Sequence, residues 1–253
     1  MKFDEKAVVL SQECLGEGIY DMWIETENIA QKAVPGQFIS VYTKDASKLL
    51  PRPISICETD GRRLRIVYRV AGAGTKEFSG YEKGEKIHII GPLGNGFPLK
   101  SGCRAILIGG GIGIPPMLEL AKSLDADKTI VLGYRNADTF LDKDLKVYGD
   151  IVIATDDGSL GTHGTVIDAI KANGIKGDVI YACGPTPMLR AIKNYAAENN
   201  IEAYISLEEK MACGIGACLA CVCKTANKDE HSQVNNARIC ADGPVFKSTE
   251  VEI

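Results

Sequence analysis

The stretch "ILIGGGIGIPPMLEL", residues 106–120, opens as an apolar run, passes through glycines at 109, 110, 111 and 113, and ends in a segment with helical apolar spacing. A short apolar run bounded by glycine reads as a buried strand. The prolines at 115 and 116 suit the first turn of a helix, where the missing N–H is no loss. Strand, glycine turn and helix in this order form the repeating unit of a doubly wound parallel sheet, and the glycines let a dinucleotide backbone approach. Gly111-x-Gly113-x-x-Pro116 falls short of the full G-x-G-x-x-G fingerprint. Its place after a strand and before a helix gives it weight.

Downstream, the same texture continues to about residue 207. The apolar runs "RAILIGG", "KTIVLGY", "DIVIATD", "DVIYACG" and "EAYISLE" alternate with "PPMLELAKSL", "VIDAIKAN" and "PMLRAIKNYAAEN", whose apolar residues recur at helical spacing. Residues 101–207 are therefore expected to form a doubly wound, parallel-sheet α/β domain. Ligands of such sheets bind at the carboxyl ends of the strands. "YACGPTPM" (181–188) puts Cys183 and Gly184 at one such end, and "ATDDGSLG" (154–161) puts Asp156 and Asp157 at another. An acidic residue there repels a 2′-phosphate and can bind a ribose hydroxyl, so NAD is expected over NADP, although Arg135 follows a neighbouring strand.

Upstream, residues 1–100 hold the short β-like runs "KAVVLS", "YDMWIE", "QFISVYT", "RPISIC", "RLRIVYRV" and "KIHIIG", separated by Gly, Pro or charged residues. That spacing suggests a small antiparallel barrel. In "RPISI" (52–56), Arg52 can neutralise a pyrophosphate and Ser55 can hydrogen-bond a flavin or its ribityl chain. In "YRVAGAGTKEFSG" (68–80), Gly72 and Gly74 precede Thr75 and a short helix, a glycine turn suited to phosphate. "GPLGNGFPL" (91–99) is a rigid turn that ends the barrel.

Residues 208–253 have too little apolar content for an independent core, and a metal site would supply the missing stability. "MACGIGACLACVCK" (211–224) packs together Cys213, Cys218, Cys221 and Cys223; Cys240 follows in "ARICADGPVF". Cys-x4-Cys-x2-Cys with a distant cysteine is the plant-type [2Fe–2S] spacing, and the small residues of "GIGA" let a loop wrap a cluster with its amides turned inward. Cys240 can approach from the opposite side and is favoured as fourth ligand, with Cys223 a bystander. Four thiols can also hold zinc. Structural zinc usually takes two separated pairs of thiols, whereas here three share one loop.

The formal net charge is −4 with no basic block, which argues against a nucleic-acid partner. "MKFDEKAVVLSQE" at the start is charged early and lacks the apolar centre of a secretory signal, and no stretch is apolar enough to span a membrane. A cytoplasmic protein with reduced thiols is expected, where a cysteine cluster means metal or redox chemistry. His88, His163 and His231 form no catalytic constellation, and no catalytic acid or base is expected.

In order, "RPISI", "GAGT", "GPLGNGF", "GGGIGIPPM", "CGPTPM", "CGIGACLACVC" and "RICADGPVF" resemble the ferredoxin–NADP reductase superfamily. Within it they are most similar to the electron-transfer subunits of class 1B dihydroorotate dehydrogenases. The resemblance covers nearly the whole chain, and its cysteine module is the most specific part. It implies an FAD-binding barrel, an NAD-binding domain and a small C-terminal [2Fe–2S] module. It implies FAD contacts at Arg52, Pro53, Ile54, Ser55, Tyr68, Arg69, Val70, Gly74 and Thr75. It also implies cluster ligation by Cys213, Cys218, Cys221 and Cys240. The implied partner is an FMN-containing dihydroorotate dehydrogenase catalytic subunit, two of each chain, in pyrimidine biosynthesis. Electrons would pass from FMN to the cluster, then FAD, then NAD. Reductase subunits of sulfite reductase, hydrogenase or glutamate synthase-like complexes share this chemistry. A zinc-stabilised nucleotide-binding regulator would leave "RPISI" and "GAGT" unexplained.

Overall fold

The computed structural model describes residues 1–45, 47–228 and 233–253. Six strands form a closed antiparallel barrel: β1 (Phe3–Gly16), β2 (Ile19–Glu25), β3 (Phe38–Tyr42), β4 (Arg52–Asp60), β5 (Arg63–Arg69) and β6 (Lys86–Leu93), in the order β1-β2-β5-β4-β3-β6. Closure leaves no free edge. The strands alternate as a barrel requires: Ile39 and Val41 of β3, Ile54 and Ile56 of β4, and Leu64, Ile66 and Tyr68 of β5 fill the interior. Short helices α1 (Ile29–Lys32) and α2 (Ala73–Phe78) lie in the connections.

Next come β7 (Arg104–Gly110), α3 (Pro115–Ser123), β8 (Asp127–Tyr134), α4 (Asp142–Lys146), β9 (Asp150–Thr155), β10 (Thr162–His163), α5 (Val166–Ala172), β11 (Val179–Cys183), α6 (Thr186–Glu198) and β12 (Glu202–Ser206). The sheet order is β10-β9-β8-β7-β11-β12, all parallel. The strand order reverses between β7 and β11, which is the topological switch point where such sheets bind ligands. The doubly wound expectation holds. Met117, Leu118, Leu120 and Ala121 of α3 share a core with Cys57 and Val67 of the barrel, so α3 also joins barrel to sheet. Helices α5 and α6 pack on the opposite face.

The C-terminal residues add β13 (Val222–Lys224), β14 (Asn236–Arg238) and β15 (Val245–Lys247). β13 and β14 pair with each other, while β15 joins the large sheet antiparallel to β12. The sequence pattern pointed to neither α4 nor β15. Among the described residues, no helix is long and apolar enough to cross a membrane.

Candidate functional site

The glycine run and the Cys183 turn meet at the switch point, where Cys183 is the cross-strand partner of Gly109. A Cβ on Gly113 would lie 2.4 Å from the Cys183 carbonyl oxygen. Gly113 thus serves close backbone packing, and its missing side chain opens no space for a ligand. Gly111 differs: φ is +52°, and the nearest atom to a Cβ there is Arg69 Nη2, at 3.6 Å. Its open side faces the barrel. A Cβ on Gly110 or Gly184 would strike the end of Met188, which closes the back of the turn. The Cys183 thiol is buried, and burial pushes it up. Asp156 is exposed at the end of β9, two strands away along the same edge, with its N–H donated to the Tyr134 carbonyl.

On the barrel, strand alternation separates the flavin candidates. Pro53 is exposed and Ser55 half-buried on the outer face of β4, whereas Ile54 is a core residue and can offer only its backbone. Tyr68 likewise points inward: its hydroxyl donates to Gln12 Oε1 at 2.7 Å, and burial raises its pKa, with Tyr20 adding to the effect. Arg69 is exposed, and the Val70 N–H donates to the Gly18 carbonyl. A Cβ on Gly74 would run into the Arg52 guanidinium, so the missing side chain lets that arginine lie across the turn. The Thr75 hydroxyl takes hydrogen bonds from the amides of Ala71 (2.9 Å) and Gly72 (3.2 Å). Those two donors are committed to the turn, and the Arg52 side chain lying across it offers a positive group to an anion.

The four favoured thiols fall into two couples. Cys213 Sγ accepts from the amides of Ile215 (3.5 Å), Ala217 (3.3 Å) and Cys218 (3.4 Å). Burial opposes the Cys213 thiolate, but the Ile215 and Cys218 amides, the Cys218 thiol and the Ala217 amide outweigh it, bringing the thiol down to about 6. Cys221 Sγ accepts from the Cys240 amide at 3.4 Å, and Cys240 is held up by burial and by Cys221 beside it. Among the described residues no three His, Cys, Asp or Glu side chains converge on one ion position. Two couples suit a two-iron cluster, each iron taking two thiolates, whereas one zinc ion needs all four thiols at one centre. Gly214 (φ +68°) and Gly216 (φ +91°) turn the loop, and Leu219 adopts φ +59° while 63% exposed. Arg238 ties the couples together: it donates to the Gly216 carbonyl at 3.1 Å and pairs with Asp242 at 2.9 Å. Cys223 is half-buried against the hydrophobic core.

The cluster loop rests on the outer face of β3. Phe38 shares a core with Cys221 and Cys240; a Cβ on Gly214 would sit 2.6 Å from Ser40 Oγ; and the Tyr42 hydroxyl is raised by burial, by Asp4 and by Cys213. The turn after β6 grips the other side. The Asn95 amide donates to the Gly243 carbonyl at 2.6 Å, and its side-chain nitrogen donates to the Asp242 carbonyl at 2.9 Å. Sequence reading missed Ser40, Asn95 and Arg238, and also Glu208 just past β12. The Glu208 side chain opens to the surface, yet the protein crowding its carboxylate raises it, partly offset by Arg69. Asn95 and Arg238 lie inside the quoted "GPLGNGFPL" and "RICADGPVF", which do not reveal these contacts, while Ser40 and Glu208 belong to no motif. His88 stacks on Tyr42 and bonds Asp4 at 2.7 Å, His163 is exposed, and His231 lies outside the described residues.

The residues fit the three groups that the motifs imply. Arg52 over Gly74 gives an anion cradle on the barrel, Gly111 gives an open backbone edge at the switch point, and Cys213 is already ringed by amides.

Comparison with known proteins gives a consistent picture. The family described as the iron-sulfur cluster binding domain of dihydroorotate dehydrogenase B matches residues 208–252. The dihydroorotate dehydrogenase B (NAD(+)) electron transfer subunit of Geobacillus sp. (strain WCH70) is 43% identical over 261 residues, covering 99% of each chain. The protein of that name from Listeria innocua is 44% identical over 255 residues, 97% of each. A solved NADH-dependent reduced ferredoxin-NADP oxidoreductase, studied for flavin-based electron bifurcation, superimposes with a TM-score of 0.88 at 29% identity, over 98% of this chain and 90% of that one.

Proposed function

Because this chain belongs to the family of dihydroorotate dehydrogenase B (NAD(+)) electron transfer subunits, we propose that it relays electrons from an FMN-containing, dihydroorotate-oxidising subunit to NAD. It is an NAD-linked flavin and iron–sulfur oxidoreductase component of pyrimidine biosynthesis. The relay divides by cofactor: FAD on residues 1–100, NAD on 101–207 and [2Fe–2S] on 208–253. When bound, FAD exchanges electrons singly or in pairs, the cluster singly and NAD as a hydride, so the flavin belongs between the other two.

The chain's own residues bind and orient. Arg52 neutralises the flavin pyrophosphate. Pro53 and Ser55 present the outer edge of β4, Arg69 lies between that edge and Gly111, and Thr75 keeps the Gly74 turn in shape. Gly111 lets the nicotinamide dinucleotide lie close, Gly113 and Gly184 hold the turn together, and Asp156 accepts a ribose hydroxyl and repels a 2′-phosphate. Cys213, Cys218, Cys221 and Cys240 hold the irons. No residue has to move a proton. The observation that carries this reading is contiguity. Gly214 of the cluster loop packs on β3, whose register partners Pro53 and Ser55 belong to the flavin strand, and Arg69 beside it reaches Gly111.

The catalytic partner docks on the exposed apolar loop that carries Ile215 and Leu219, in an assembly of two of each chain in the cytoplasm. The decisive experiment is an anaerobic visible spectrum of the purified chain before and after NADH. Flavin bands over broad iron–sulfur absorption, both bleached by NADH, are expected. A colourless chain that stays unresponsive after reconstitution with FAD, iron and sulfide would overturn the reading.

A further inference from the structure

Ser40 lies in β3, fully inside the protein at 1% exposure. Its hydroxyl is the one buried side-chain oxygen or nitrogen among the described residues with no hydrogen-bond partner. Buried hydroxyls are almost always paired, so an orphan in otherwise well-satisfied surroundings points to a group that it serves. Two observations say which group. Strand alternation turns Ser40 outward with Phe38 and Tyr42, toward the cysteine loop and away from the barrel interior filled by Ile39 and Val41. The atom facing it belongs to the residue after Cys213: a Cβ on Gly214 would lie 2.6 Å from Ser40 Oγ. Glycine at 214 therefore leaves the hydroxyl room to reach the loop. On its other side, Ser40 is the register partner of Pro53 in the proposed flavin strand.

We infer that Ser40 is a positioning residue for the iron–sulfur cluster: its hydroxyl donates a hydrogen bond from the flavin barrel to a sulfur held by the Cys213–Cys221 loop. This rests on the cluster assignment of the proposed function. The bond favours the more negative, reduced cluster, because a donor aimed at sulfur stabilises added electron density. It is the barrel's own contribution to the cluster potential, separate from the amides that the loop supplies at Cys213.

The test uses the full chain with its cofactors, in wild type, Ser40→Ala and Ser40→Thr. Cluster potential is followed by redox titration with electron paramagnetic resonance, and exchangeable protons near the reduced cluster by electron–nuclear double resonance in H2O and D2O. Removing the hydroxyl is expected to shift the cluster potential to a more negative value. It should also erase one exchangeable proton coupling and leave the flavin potential in place; threonine, which keeps the donor, restores both. An alanine variant with unchanged potential and couplings would overturn the inference. So would failure of both variants to hold the cluster, since the serine would then be a packing residue. Absence of a [2Fe–2S] signal in the wild type would instead sink the cluster assignment itself.

Discussion

Gly111 and Gly113 sit in one turn and answer to different constraints. At Gly113 a methyl group would meet the Cys183 carbonyl at 2.4 Å, against backbone that cannot swing away. Gly113→Ala should therefore destabilise the fold by about 1–3 kcal/mol, the usual range for forcing a methyl into packed structure. Gly111→Ala faces only Arg69 at 3.6 Å and the left-handed strain of φ +52°. It should cost about 1 kcal/mol and weaken NAD binding more than it weakens the fold. Urea unfolding midpoints and NADH titrations on both variants check this; the reverse ranking would show that Gly111 is the packing residue. The cysteines allow an equally sharp contrast. Cys240 lies against Cys221, its amide donating to Cys221 Sγ at 3.4 Å, whereas Cys223 sits half-buried in core packing. Cys240→Ser should lose most of its iron and Cys223→Ser should keep it, as measured by iron and acid-labile sulfide content. The sequence made both sets of residues visible, because ligand spacing and glycine turns are local. Ser40 stayed invisible because its partner lies 174 positions along the chain, and Asn95, although inside the quoted "GPLGNGFPL", gave no sign of its clasp on a turn about 150 positions away.

Elements were legible where their periodicity was strong. The six barrel strands and five of the parallel strands carry uninterrupted apolar or alternating runs. α4, with the charged sequence "DKDLK", buries only Leu145, so it left no apolar stripe to read. β15 was obscured for another reason: three residues after a glycine–proline turn become a strand only because β12 offers an edge. Glu202 on β12 shows how that edge is fastened. Its carboxylate takes bonds from Tyr204 at 2.9 Å and Lys247 of β15 at 3.1 Å, and from Lys100 in the connector out of the barrel. The Lys100, Tyr204 and Lys247 bonds hold the carboxyl down at about 2, against 4.5 when free. A depressed folded-state pKa contributes stability above the free value and loses it as pH falls through the folded one. Glu202→Gln should thus cost about 1 kcal/mol or less at neutral pH, given partial solvent screening. The gap from wild type should close as pH drops from about 4.5 towards 2. A gap independent of pH across a urea-denaturation series would remove the carboxylate from that role.

At the scale of the molecule, barrel and sheet are joined by more than apolar packing. Arg65 of β5 binds Asp21 at 2.6 Å inside the barrel wall and reaches Asp144 of α4 at 3.3 Å. The outward side of this assembly carries Leu219, exposed and strained, and Ile215 at 47% exposure. An apolar side chain kept exposed in a left-handed backbone is a cost that function explains more readily than stability does. Leu219→Asp should weaken binding of the catalytic partner by about 2 kcal/mol, roughly 30-fold, while FAD and the cluster stay bound. Calorimetric titration of the partner subunit into the loaded chain decides it, and unchanged affinity would move the docking surface elsewhere. The small contribution of Val245–Lys247 to the large sheet has a consequence for how such a relay can be rebuilt. A ferredoxin tethered by a linker can be unplugged and fitted to another reductase. Here the cysteine module forms the outermost row of the nucleotide sheet, so severing it at 207 bares β12 to edge-to-edge association. Its turn is also clasped by Asn95 at the barrel's last strand. The iron–sulfur segment is masonry rather than a cartridge, and any transplant has to carry its two neighbouring walls along.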